Sequence, residues 1–326
     1  IRDLIVTGVQ TCALPICAPA RTRREAEAGP VVLPGTLGVA APDARTAEIF
    51  RRHLTRSLAR ASDRPGAYGD PRGGRALRRE IADHLGATRG VRCDADAVLL
   101  TSGSQHGLDL FVRAALRPGD AVWIEDPAYP IARAAMIGAG LDLVAVPVDG
   151  DGLVVAAGRT LRERARAALV TPSHQFPLGV TLTMPRRLAL VDWAKRVGAF
   201  VVEDDYDSEF RFAGAPLAAL QGIDDAGRVV YLGSFSKALH PGLRVGYMVV
   251  PDGLVDPVLA VRARSDRFPS TLAEEALTAL LAEGHFTAHV RRARRRARAC
   301  RDALVEGLAD GPWRVAVPDQ GLHLIA

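Results

Sequence analysis

Cysteine is scarce in this 326-residue chain: Cys12, Cys17, Cys93 and Cys300 form no CxxC pair and have no histidine at ligand spacing. That argues against a structural zinc or a disulfide framework and for a reducing cytoplasm. No apolar run approaches the ~18 uncharged residues that a membrane span needs. Neither GxxxxGK[ST] nor GxGxxG occurs at a strand end, so neither a triphosphate loop nor a dinucleotide fingerprint is supported. His174 and His240 have no Ser or Cys nucleophile in a recognisable elbow, which removes the common hydrolase arrangement. Internal repeats and long low-complexity tracts are missing as well.

What is present is a globular composition, 48% apolar and 24% charged, enough for one large domain or two. The net charge is +5, and the basic side is nearly all arginine. The densest basic stretch, Arg291 to Arg301 ("RRARRRARACR"), lies on a helical pattern. A solvated helix face accounts for it, with an anion or nucleic-acid contact as the alternative.

The ends stand apart from this pattern. "VTGVQTCALPI" (Val6 to Ile16) matches an in-frame translation of a sequencing-adapter oligonucleotide, and residues 1–17 are expected to be non-native. A signal peptide fits less well, because Gly8, Gln10 and Pro15 interrupt the apolar stretch. Residues 18–34 read as a polar linker to something upstream. The other end, "GLHLIA", stops inside a strand-like run and is expected to be cut short.

From Ala97 onward, apolar runs ("AVLLTS", "AVWIE", "LDLVAV", "AALVT", "AFVVE", "RVVYL", "RVGYMVV") alternate with amphipathic segments such as "QHGLDLFVRAAL" and "MPRRLALVDWAKRVG". That pattern predicts an α/β fold with a mostly parallel sheet flanked by helices, whose ligands bind beyond the carboxyl ends of the strands. The residues just past each run are therefore the informative ones. "TSGSQHG" offers a helix N-terminus at Gly103 and Ser104, "DPAYP" one aromatic ring at Tyr129, and "DDYDSEF" three acids in four positions. "GSFSKALHPGLRVGY" offers Lys237 among Ser234, Ser236 and Arg244, groups suited to a phosphate monoester. A lysine able to form a Schiff base, a carboxylate, an aromatic ring and an anion site together are what pyridoxal 5'-phosphate (PLP) requires.

With "YGDPRGGRALRREIADHL", "VTPSHQFPLGV" and "EGHFTAHVRR" in order among these motifs, the chain from about Leu33 onward resembles the aminotransferase-like domain of MocR-type regulators. Those are GntR-related proteins that fuse a winged helix-turn-helix to a fold-type-I PLP domain. The resemblance implies a large PLP-binding domain over 35–255 and an incomplete smaller domain over 256–326. It implies that Lys237 carries PLP as an aldimine, Asp204 pairs with the pyridine nitrogen, Tyr206 contacts the ring hydroxyl and Tyr129 stacks on the ring. Ser102, Gly103, Ser104 and Gln105, with Ser234, Ser236 and Arg244, would cradle the phosphate. Tyr68 would reach the neighbouring subunit's cofactor in a homodimer, and His174 and Gln175 would contact the ligand.

Two departures follow from the same comparison. Phe176 stands where many aminotransferases of this fold carry an asparagine, which weakens the case for fast transamination. The arginine that binds a substrate carboxylate in this fold is expected beyond Ala326. Two functions remain in view: a regulator's effector domain responding to PLP or a small amino compound, with DNA engaged only through an upstream winged helix-turn-helix, and a free-standing aminotransferase. In the second, Lys237 would move the proton.

Overall fold

The apolar runs of the sequence form the strands of one eight-stranded sheet. In the computed structural model, which describes residues 41–62, 68–214 and 217–326, these runs become β1 (Val98–Thr101), β2 (Ala121–Asp126), β3 (Asp142–Asp149), β5 (Ala167–Val170), β6 (Phe200–Asp205), β7 (Val229–Ser234) and β8 (Gly246–Val249). A two-residue β4 (Gly152–Leu153) hairpins onto β3 and was not expected from the sequence. The expected non-native segment, the linker, Cys12 and Cys17 lie outside the described residues.

The strand order is β1-β8-β7-β6-β5-β2-β3-β4. Neighbours from β7 through β3 are parallel, whereas β8 runs antiparallel to both β1 and β7. The sheet is thus mostly parallel, with β8 reversed inside it and the short β4 reversed at its edge. Reversal has a direct consequence: β1 ends, and β8 begins, at the same edge where β2, β5, β6 and β7 end. Thr101 lies across from Gly246 and Gly246 across from Ser234, while Gly233 pairs with Asp205. Segments distant in sequence therefore arrive side by side.

Helices cover both faces, which explains why β1, β5 and β8 are buried at every position. On one face α3 (Ser104–Ala115), α4 (Pro130–Gly138) and α9 (Asp252–Arg262) pack Phe111, Met136 and Val258 against Val202 and Val230. On the other, α5 (Val155–Arg162) and α6 (Met184–Val197) bring Trp123 and Trp193 into a stack with centroids 3.8 Å apart. Each indole N–H donates to a carbonyl, of Arg162 and Glu163 respectively, so neither buried ring leaves an unsatisfied donor. The helices α1 (Ala44–Ser62), α2 (Arg75–Arg89), α10 (Glu274–Ala282) and α11 (His285–Ala309) close a third cluster around Tyr231, Phe235 and Phe286. Two short helices, α7 (Leu220–Ile223) and α8 (Phe235–Ala238), complete the set. No helix among the described residues is long and apolar enough to cross a membrane.

Three arginines of the basic stretch on α11 depart from the expected solvated face. Arg292 donates to Asp43 at 2.7 Å, Arg294 to the Glu209 carbonyl at 2.8 Å, and Arg301 to the Pro318 carbonyl at 2.6 Å. They tie α11 to the start of the described chain, to the loop after β6, and to residues 318–326. That last segment is stitched to the same loop by Phe212 N–H to the Asp319 carbonyl (2.7 Å) and Gly321 N–H to the Phe210 carbonyl (2.8 Å).

Candidate ligand site at the carboxyl edge of the sheet

The two acids that end β6 divide by the alternation of the strand. Asp205 faces the interior, where its Oδ2 accepts from Arg89 Nε (2.9 Å), Tyr231 Oη (2.6 Å) and Ser208 Oγ (2.8 Å). Asp207 is buried too; its Oδ2 accepts from His174 Nδ1 (2.9 Å) and from the Leu322 N–H (3.1 Å). A carboxylate can only accept, so His174 carries its proton on Nδ1. Asp204 differs from both. Its Oδ1 is buried with no hydrogen-bond partner, and burial, reinforced by Asp205 and Asp207, pushes its carboxyl up to about 7 against the opposing pull of Lys237. Burial likewise lowers the Lys237 amine, while Asp207 and Asp204 act to raise it.

The anion-binding candidates converge through glycines. Gly103 caps the N-terminus of α3 at φ 120°, a backbone region nearly closed to other residues. A methyl group there would lie 3.1 Å from Arg244 Nη2, so Arg244 reaches the N-terminus of α3 directly. Gly246 packs on the Gly103 backbone in the same way, its missing Cβ 2.7 Å from Gly103 Cα. Ser234 Oγ lies 2.8 Å from Ser236 Oγ and accepts from the Ser236 N–H, and Lys237 follows on α8. Ser102, Ser104 and Gln105 lie at or next to the α3 N-terminus, where unpaired N–H groups and the helix dipole favour an anion.

Rings wall the space beside these groups. Tyr129 meets Phe176 edge to face at 5.4 Å, and Phe176 meets Tyr206 at 6.4 Å. Tyr206 donates to the His174 carbonyl at 2.8 Å, and burial, then Asp207, raises its phenol well above the usual value.

Two candidates stand elsewhere. Tyr68 is 74% exposed, with the Arg267 guanidinium 4.1 Å over its ring and Phe268 beside it; it touches none of the residues above. Gln175 spends its amide on the fold, donating to the Pro127 and Phe176 carbonyls (2.8 Å each) and accepting from the Leu178 N–H (2.9 Å).

Sequence reasoning missed three contributors. His323 packs 4.3 Å from His174 and 5.4 Å from Phe176 between ring centroids; its position in "GLHLIA" gave only a strand signal. Burial, then His174, lowers its imidazole to about 4, so it is neutral near pH 7. His174, Asp207 and His323 hold donor atoms within 4.8 Å of one another. Arg89 and Glu125 are the others. Glu125 is buried under the Thr171 hydroxyl (2.7 Å), and burial pushes its carboxyl up to about 7.

Comparison with known proteins gives the family of the chain. A family model described as aminotransferase class I and II matches residues 37–325. The probable rhizopine catabolism regulatory protein MocR of Rhizobium meliloti is 40% identical over 254 residues, 78% of this chain and 50% of that protein. The pyridoxine biosynthesis transcriptional regulator PdxR of Corynebacterium glutamicum is 34% identical, over 81% of this chain and 58% of that one. Among solved structures, a kynurenine aminotransferase of Pyrococcus horikoshii superposes with a TM-score of 0.79 at 30% identity, covering 87% of this chain and 72% of that chain. The chain spans about half the length of the curated regulators it matches.

Proposed function

Because this chain belongs to the aminotransferase class I and II family, we propose that it is the PLP-binding effector domain of a MocR-type transcriptional regulator, with Lys237 as the lysine that carries the cofactor. The observation that carries the reading is Asp204. Asp205 Oδ1 is likewise buried without a partner, but of Asp204, Asp205 and Asp207 only Asp204 accepts no hydrogen bond at either oxygen among the described residues, and a protonated pyridine nitrogen is the cation its buried Oδ1 lacks. The donor set fits the rest of the cofactor: Arg244 and the α3 N-terminus for a dianionic phosphate, Ser234 and Ser236 as hydroxyl ligands, and Tyr129 and Phe176 as apolar walls.

PLP supplies an electron-withdrawing ring to an amino compound joined to it. The chain's own residues do the remaining work. Asp204 would hold the proton of the ring nitrogen, and Tyr206, anchored by its bond to the His174 carbonyl, would contact the ring hydroxyl. Lys237 would carry the cofactor and would hold or return a proton beside it. His174 is itself oriented by Asp207, so the Tyr206 position is set two residues deep.

The regulator reading is supported by the higher identity to MocR and PdxR than to the aminotransferase. In it, a PLP-linked amino compound changes how a winged helix-turn-helix N-terminal to this domain engages its operator, in a cytoplasmic homodimer whose sites Tyr68 helps to complete. The second reading, a free-standing aminotransferase, draws on the superposition with an enzyme over most of the chain. Adding PLP is expected to produce a visible absorption band that borohydride fixes to the chain and that Lys237→Ala abolishes; persistence of the band in the alanine variant removes Lys237 from its role. Multiple-turnover transamination would select the enzyme over the regulator.

A further inference from the structure

Two adjacent imidazoles, His174 and His323, each keep a lone pair that the other cannot satisfy. His174, in the loop after β5, carries its proton on Nδ1, from which Asp207 Oδ2 accepts at 2.9 Å, so its Nε2 is an acceptor. That Nε2 is buried with no hydrogen-bond partner among the described residues, in a side chain only 1% exposed. A buried acceptor left unpaired is unfavourable and marks a missing donor or cation. His323 Nε2 lies 3.1 Å from the Pro177 carbonyl. A carbonyl only accepts, so the neutral ring has its proton on Nε2 and a lone pair on Nδ1. The two ring centroids are 4.3 Å apart, and neither ring has a proton left to give the other. Gly179, at φ 72°, lacks the methyl group that would otherwise lie 3.3 Å from His174 Nε2. Together with Asp207, the two histidines hold donor atoms within 4.8 Å of one another.

We infer that His174 Nε2 and His323 Nδ1 bind a divalent first-row transition-metal ion of the zinc class, with the Asp207 carboxylate supporting His174 from behind. Imidazole nitrogens suit zinc, copper and nickel, whereas magnesium and calcium take oxygen ligands. A carboxylate on the far nitrogen of a ligand imidazole fixes its tautomer and raises its basicity, and Asp207 stands in that relation to His174. Zinc sits about 2.0–2.1 Å from an imidazole nitrogen, so donors this close share one ion after small ring rotations. His323 also lines the cavity that contains Lys237, from which water completes the coordination. The ion fastens residues 318–326, through His323, to the loop after β5, through His174. Such a site requires no PLP.

Zinc titrated into the chain by calorimetry, without added PLP, is expected to bind at a site that magnesium and calcium do not occupy. His323→Ala is expected to weaken that binding by about tenfold or more and Asp207→Asn by about 10–100-fold, each variant being checked for its fold by circular dichroism. Cobalt in place of zinc reports the ligand type in the wild type. Visible bands without thiolate-to-metal absorption in the near ultraviolet are expected; thiolate absorption would put the ion on a cysteine and overturn the proposal. His53 and His285 form a second imidazole pair, with Nε2 atoms 3.4 and 3.1 Å from Glu283 Oε2, and His285→Ala is expected to leave the zinc affinity unchanged. Zinc affinity that survives His323→Ala, falls instead in His285→Ala, or is missing from the wild type overturns the proposal.

Discussion

Asp204 and Asp205 are adjacent on one strand and have opposite environments: Asp205 Oδ2 accepts three hydrogen bonds, from Arg89, Tyr231 and Ser208, while Asp204 Oδ1 is buried and accepts none. The period of two in a β-strand sends them to opposite faces of the sheet. One carboxylate is used to build the fold, and its neighbour is the one we propose for the cofactor's ring nitrogen.

That isolation makes Asp204 a source of pH-dependent instability in the chain without cofactor. Its carboxyl is pushed up to about 7, so the folded state keeps a proton that the unfolded chain releases above about 4. Stability from this group therefore falls as pH rises from about 4 to about 7 and stays low above that. Without PLP, Asp204→Asn is expected to be more stable than wild type by up to about 4 kcal/mol at pH 8, with the difference shrinking toward pH 4. Urea titrations at both pH values measure it, and a difference independent of pH would refute the assignment. With PLP added, the ranking should reverse, because the asparagine cannot hold the ring proton.

Arg89 should tolerate replacement poorly. It joins Asp205 to the Ser173 hydroxyl (2.5 Å) and the Leu217 carbonyl (2.6 Å), and removing it leaves a buried carboxylate without its cation. Arg89→Ala is expected to cost about 3–5 kcal/mol in urea denaturation. A loss below about 1 kcal/mol would mean that water or another cation replaces the guanidinium.

Gly233 is required by a neighbour. A methyl group there would lie 2.4 Å from Tyr247 Cε2, on the strand that delivers Ser234 and Lys237. Gly233→Ala is expected to destabilise by about 1–3 kcal/mol and to weaken PLP uptake. The double variant with Tyr247→Leu should recover part of the stability loss; strict additivity of the two single effects would count against the steric cause.

His323 offers a spectroscopic check of the C-terminal segment. Its imidazole is lowered to about 4, below the unfolded value near 6.5. Its contribution is intact above pH ~6.5 and is lost as pH falls toward about 4. The ring Cε1 proton, followed by NMR, should titrate with a midpoint well under 5, and a midpoint near 6.5 would place the ring in water.

The strands were legible because buried parallel strands leave long apolar runs, and seven of the eight appear where the sequence predicts them. β4 was not, since two residues carry no period. The reversed direction of β8 also escaped the sequence, because "RVGYMVV" reads alike in either orientation. The three acids at and just past the end of β6 were visible as a group, but their division into Asp205 and Asp207, which accept hydrogen bonds, and Asp204, which accepts none among the described residues, was not: it depends on Arg89, 116 residues from Asp205, and on His174.

By itself, the sequence determined the α/β class and the residue types at each strand end, since hydrophobic periodicity and turn chemistry are local. Only the tertiary structure decided which of those residues meet. The antiparallel insertion of β8 brings Arg244 to Gly103, and the return of residues 318–326 onto the loop after β6 sets His323 beside His174. Those contacts depend on strand order and long-range packing, and no local pattern in the chain encodes either.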